Sequence, residues 1–215
     1  MGVGRRVASG VRSLPEQAER LIALGAHELA GVPAAELRAA GAGRDESGAV
    51  LVLRSTPPAA LAPLLEHAGR PGFVVTDMTD ADEFAPIDGV ELPDGPAYLL
   101  RGPDRGDAMT NWSPDEALPA IAAAGRTPLT LGEGLCWLLQ EPGVLERNHC
   151  FMTIGSRRRR PGGRLDARTP AIWISNGSGR DGPDRRSAPK VGWCWAGNRH
   201  TWLGFASAAG RAPVS

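Results

Sequence analysis

Hydrophobic and polar positions follow two regimes along this chain, mostly helical spacing over the first two thirds and strand-like runs over the last. Ser13 and Glu16 stand at capping-box spacing, and Ala18, Leu21, Ile22, Gly25 and Leu29 then mark one helical face that stops near Gly31. Pro33 and Gly41 bracket a second short helix across Ala34 to Ala40. The continuous apolar run AVLVLRS (49–55) predicts a strand. Thr56, Pro57 and Pro58 then start a helix through Leu61, Leu64 and Leu65 that ends at Gly69, before GFVVTD. Strand, helix and strand within about thirty residues predict a βαβ crossover with parallel strands. AYLLRG reads as another strand. Two capped helices follow, opened by Ser113, Pro114 and Glu116 and by Thr130 with Glu133. Leu131, Leu135, Leu138 and Leu139 supply the buried stripe of the second, Cys136 and Trp137 serve its packing, and Pro142 and Gly143 terminate it.

In the last third, CFMTIG (150–155), AIWISN (171–176), KVGWCWAG (190–197) and TWLGFAS (201–207) read as an antiparallel sheet. AGNRH (196–200) joins the last two, and Gly197 and Asn198 tolerate positive φ, so the spacing predicts a β-hairpin. Trp193 and Trp195 share one face of it, with Trp202 on the returning strand. The predicted fold class is α+β (mixed α/β): N-terminal helices and a βαβ unit, two capped helices, and C-terminal antiparallel strands with a Trp-rich hairpin. Residues 1–12 read as a flexible tail and 13–215 as a single domain, with a helical and βαβ part at 13–147 and a strand-rich part at 148–210.

Composition narrows the setting. A chain of 215 residues buries enough surface to need no covalent staples. Cys136, Cys150 and Cys194 form no CxxC pair, which predicts reduced thiols and a cytoplasmic location. No apolar run has signal-peptide or membrane-span length, so a soluble protein with no membrane partner is expected. Of 24 basic residues only Lys190 is lysine, and Gly, Ala and Pro are abundant, a bias that a GC-rich genome produces. Charge is unevenly spread. Asp77 to Glu116 holds eleven acidic residues against Arg101 and Arg105, whereas Arg157 to Lys190 holds ten basic ones against Asp166, Asp181 and Asp184. The two segments are expected to pair or to solvate within one monomer.

No motif defines a reaction. GSGRDG (177–182) has GxGxxG spacing, but Pro183 and DRRSAPK continue a loop where a dinucleotide site needs a helix. The same glycines leave backbone N–H groups for an anion, with Arg180, Arg185 and Arg186 nearby. SRRRRPGGRLDAR (156–168) offers forked guanidinium donors for phosphate or carboxylate, or is a solvated loop shaped by composition. A nucleic-acid partner is not expected without a basic whole domain. His149, Cys150, Cys194 and His200 lack the close pairs of a zinc site, and no metal or cofactor is expected.

The run NHCFMTIGSRRRRPGGRLDARTPAIWISNGSGRDGP with APKVGWCWAGNRHTWLGFASAAGR, together with NWSPDEALPAI and GFVVTDMTD, resembles an actinobacterial family known only as domain of unknown function family 5701. The resemblance covers most of the chain from about Pro15 and implies a cytoplasmic bacterial protein forming one folded unit. It implies no activity, cofactor or catalytic residue.

The residues themselves point to a non-enzymatic domain that binds a small anionic molecule or an acidic protein, with Trp193, Trp195, Asn198, His200, Trp202, Arg168 and Arg157 as the candidate site. The alternatives are an enzyme using His200 or His149 as base near Cys150 or Cys194, and a nucleic-acid binder acting through the arginine loops.

Overall fold

The computed structural model describes residues 10–42 and 46–214. The expected tail lies largely on residues 1–9, outside the described residues. Two sheets enclose the helix Leu131–Gln140. The first has three antiparallel strands, with Ala97–Arg101 between Val50–Leu53 and Gly210–Pro213. The second has five, in the order Leu203–Phe205, Cys150–Met152, Arg168–Ile174, Pro189–Trp195, Phe73–Val74. Its three middle strands are antiparallel, and each edge strand is parallel to its neighbour. The architecture is α+β, as the residue pattern predicts.

The enclosed helix explains its own sequence. Thr130 caps it with a full capping box, and every residue from Leu131 to Gln140 except Gly132 is buried. Gly134 permits close approach to the five-stranded sheet, since a Cβ there would sit 2.7 Å from Thr153 Cγ2. Trp137 packs on Phe151 with ring centroids 5.6 Å apart. On the other side, Tyr98 in the central strand of the small sheet donates to Glu133 Oε1 at 2.9 Å. Glu133, fully buried, is paired by Arg211 through Nε to Oε1 at 2.5 Å and Nη2 to Oε2 at 2.8 Å. The helix Leu14–Ala23 closes this side. Its buried Gln17 completes the edge of the small sheet, donating to Ala49 O and accepting from Leu51 N–H, each at 2.8 Å. Arg12 and Arg20 donate to the carbonyls of Gln140 and Leu139, placing cations at the negative end of the enclosed helix.

Two expectations are corrected. Val50–Leu53 and Phe73–Val74 form no βαβ unit: the first pairs antiparallel with Ala97–Arg101 in one sheet, and the second lies in the other. Between them Pro63 lacks the N–H that would extend the helix. The α-helix spans only Pro58–Leu61 and tightens to a 3-10 turn at Ala62–Leu64. A small antiparallel pair, Glu66–His67 with Arg70–Pro71, then turns the chain.

Nor does the Trp-rich hairpin form. Pro189–Trp195 pairs along all seven residues with Arg168–Ile174, while Leu203–Phe205 crosses to run parallel with Cys150–Met152. Both edges of Pro189–Trp195 are taken, one by Arg168–Ile174 and the other by Phe73–Val74, while Leu203 and Phe205 are 1% exposed beside Cys150 and Met152. The first helix also stops earlier than its apolar pattern, at Ala23, with Gly25 at positive φ and a separate turn at Ala26–Leu29.

Candidate functional site

The seven-residue register of the two long strands sorts the candidate side chains by face. Arg168 lies opposite Trp195 and Pro170 opposite Trp193, so these share one face. Trp173 opposite Lys190 and Thr169 opposite Cys194 share the other. Trp193 and Trp195 meet edge to face at 4.6 Å, and the Arg168 guanidinium lies 5.9 Å from the Trp193 ring and 5.4 Å from Phe84. Trp202 belongs to the other side, 6.1 Å from Trp173 and 5.4 Å from His200. Asn198 is exposed in the turn, its N–H donating to Trp195 O at 3.0 Å. The structure therefore divides the sequence-predicted constellation between two faces.

The arginine loop is largely committed within the chain. Arg168 donates to both oxygens of Asp80, at 3.0 and 2.5 Å, and to Asp166 Oδ2 at 3.0 Å. Arg158 joins Asp80 at 2.9 Å and Glu83 at 2.7 Å, Arg159 joins Asp88 at 2.5 Å, and Arg160 reaches Asp166 at 3.4 Å. Arg157 instead donates from Nε to the backbone oxygen of Asp166 at 2.9 Å. Burial pushes the Asp166 carboxyl up, but hydrogen bonds from the Arg168 side chain, the Arg168 backbone and Arg160 outweigh it and hold it below the ordinary carboxylate range. Hydrogen bonding from Arg168 lowers Asp80 in the same way. The acidic middle segment and the basic late segment are partners, and they fasten the strand Ala85–Pro86 to Ser156–Arg157.

The cysteines and histidines do not assemble a nucleophile. Burial raises Cys136 to about 12 and Cys150 and Cys194 to about 11, the opposite of thiol activation. Cys150 Sγ donates to the Glu146 carbonyl at 3.3 Å. Burial lowers His200, whose buried Nε2 has no hydrogen-bond partner among the described residues, and its ring contact is Trp202. Among the described residues, no three His, Cys, Asp or Glu side chains gather as metal ligands.

What the fold does assemble is a cleft of about 370 Å³ on the Trp173 face, beside the edge strand Phe73–Val74. It is lined by Val75, Thr76 and Asp77 on one side and by Ser178, Arg180, Asp181, Arg185 and Lys190 on the other. The parallel register of Phe73 with Lys190 brings these segments together. Lys190 Nζ donates to Asp181 Oδ2 at 2.7 Å and lies 5.0 Å from the centre of the Trp173 ring. Asp181 is fixed by a second donor, Ser175 Oγ, at 2.8 Å. The Trp173 ring occupies the space over Gly192, where a Cβ would come within 2.5 Å of Trp173 Cη2. Across the cleft Arg180 reaches Asp77 at 3.1 Å, through side chains 77% and 45% exposed, so solvent screens this pair and it opens at little cost. Arg185 stacks over Phe73 at 4.3 Å and has no carboxylate partner among the described residues. GSGRDG is the loop that carries part of this wall, turning through Gly179–Asp181 and Pro183–Arg185 as 3-10 segments instead of opening a helix.

Sequence reasoning placed Arg180 and Arg185 near an anion loop but missed Asp181, Asp77, Trp173 and Lys190 as one group. The singularity of Lys190 was the signal present in the sequence.

Among the described residues no helix is long and apolar enough to cross a membrane. The sequence model of a family of unknown function, DUF5701, matches residues 20–214. No curated protein and no solved structure matches the chain.

Proposed function

The chain belongs to this family of unknown function, which brings no activity with it, and from the geometry we propose that it is a binding domain for a small molecule bearing an anionic group, held in the cleft between residues 75–77 and 178–190. One observation carries the reading. Most arginines of the 157–168 loop have internal carboxylate or carbonyl partners, and in the open cleft Lys190 is held by Asp181 and Arg180 by Asp77, whereas Arg185 lines that cleft beside Thr76 and Ser178 with no carboxylate partner among the described residues. Arg185 offers a planar fork of donors without a competing carboxylate among the described residues. Arg180 adds a second once its exposed pair with Asp77 opens. The internal pairing of Arg158, Arg159 and Arg168 favours a small ligand over an acidic protein or a nucleic acid, either of which needs a free basic surface. A cytoplasmic setting fits three free thiols.

The test is thermal stability and calorimetry of the full chain with inorganic phosphate, sugar phosphates and small carboxylates. A ligand at a hundred times its Kd stabilises by about 2.7 kcal/mol. Stabilisation that is lost in Arg185→Ala and kept in Arg159→Ala supports the cleft. No response to any anion, or an equal response in both variants, overturns it.

A further inference from the structure

Lys190 is the one lysine among 24 basic residues, and it is the most enclosed cation of the cleft, its side chain 16% exposed against 77% for Arg180. Ammonium and guanidinium serve equally well in a simple surface ion pair. Only the amine can lose a proton at moderate pH and attack a carbonyl carbon. Every other Lys/Arg position in the chain carries arginine, and the one amine stands at this enclosed position.

Resting on the reading of the cleft given above, we propose that Lys190 forms a reversible Schiff base with a ligand that carries a carbonyl next to its anionic group, an oxo acid or a phosphorylated aldehyde or ketone. The surroundings supply each part of the step. Asp181 Oδ2, 2.7 Å from Nζ and fixed by Ser175, takes one ammonium proton. The freed nitrogen lone pair forms the C–N bond, the carbonyl π pair moves to oxygen, and a proton passes from nitrogen to that oxygen to give the carbinolamine. The nitrogen lone pair then expels the oxygen as water, protonated by Asp181. The products are a protonated imine, one water and the regenerated carboxylate, so no oxidant or further reactant enters. Trp173, 5.0 Å from Nζ, walls off water on one side, while Arg185 and Arg180 hold the anionic end.

Because the sequence has a single side-chain amine, the chemistry is read directly. The folded protein is incubated with pyruvate or with dihydroxyacetone phosphate, reduced with borohydride, and mapped by peptide mass. The expected result is an adduct on Lys190 forming at least about tenfold faster than in urea-unfolded protein, since binding orients amine and carbonyl. It should be suppressed by the matching hydroxyl compound, lactate or glycerol 3-phosphate, and slowed in Asp181→Asn. The responding probe identifies carboxylate or phosphate as the anionic end. Absence of the adduct, or equal rates folded and unfolded, overturns the proposal. Thermal stabilisation by lactate or glycerol 3-phosphate without any adduct leaves the binding site standing and removes the Schiff base. Neither stabilisation nor adduct removes both. The decisive comparison uses the unaltered chain, so a variant that fails to fold does not obscure it.

Discussion

Replacing Arg211 by Met should destabilise the protein by about 3–5 kcal/mol, the cost of removing one partner from a buried ion pair. Glu133 is fully buried, and Arg211 is 6% exposed. The substitution removes the donors at 2.5 and 2.8 Å to the two carboxylate oxygens and leaves the Tyr98 hydroxyl, at 2.9 Å, and the Thr130 N–H, at 2.7 Å. Thr127 Oγ1 and Pro128 O lose donors as well. The methionine retains much of the buried aliphatic length, so the main cost is an uncompensated charge and not a cavity. Urea unfolding read by circular dichroism measures it, as a fall in midpoint at unchanged m. The double variant Arg211→Met/Glu133→Gln should regain much of the loss, because the amide that replaces the carboxylate is neutral and its side-chain oxygen still accepts from Thr130 N–H. A single variant losing under about 1 kcal/mol, or a double variant less stable than the single, would refute the argument that an unpaired buried charge is the cause.

Two neighbouring helical glycines should respond with opposite signs. Gly132→Ala meets nothing within 4 Å and should stabilise by up to about 1 kcal/mol through helix propensity, whereas Gly134→Ala drives a Cβ to 2.7 Å from Thr153 Cγ2 and should cost about 1–3 kcal/mol, both read by urea unfolding. Asp80 and Asp166 are held below the usual carboxylate range, so their contribution is present above the unfolded value of about 3.9 and is lost as pH falls through the folded value. Asp166→Asn should therefore lower stability at neutral pH and flatten its decline below about pH 4, and an unchanged acid slope would contradict the assignment.

Local chemistry determined much of the chain without help from the fold. Ser113 and Thr130 open their helices because a side-chain oxygen and a glutamate three residues on satisfy orphan N–H groups, and at Ser13 the Glu16 carboxylate accepts from the cap N–H, relations contained in four consecutive residues. The strands around 50, 98, 151, 172 and 191 follow from β-branched and aromatic runs in the same local way. The opposed charge of the middle and late segments already carried the pairing that fastens the arginine loop. Tertiary structure alone decided which strands became neighbours. Both edges of the strand carrying Trp193 and Trp195 went to Arg168–Ile174 and Phe73–Val74, and Leu203 and Phe205 are buried beside Cys150 and Met152 instead. That choice moved Trp202 and His200 to the face opposite Trp193, Trp195 and Arg168, dividing a group that looks continuous in sequence. The cleft was equally out of reach, since Asp77 and Arg180 meet across 103 positions and Lys190 lies beside Phe73 only through a parallel register. A strand's residue pattern specifies its two faces but not its partner, and so the sequence determined the elements and their charges while the fold alone determined the site.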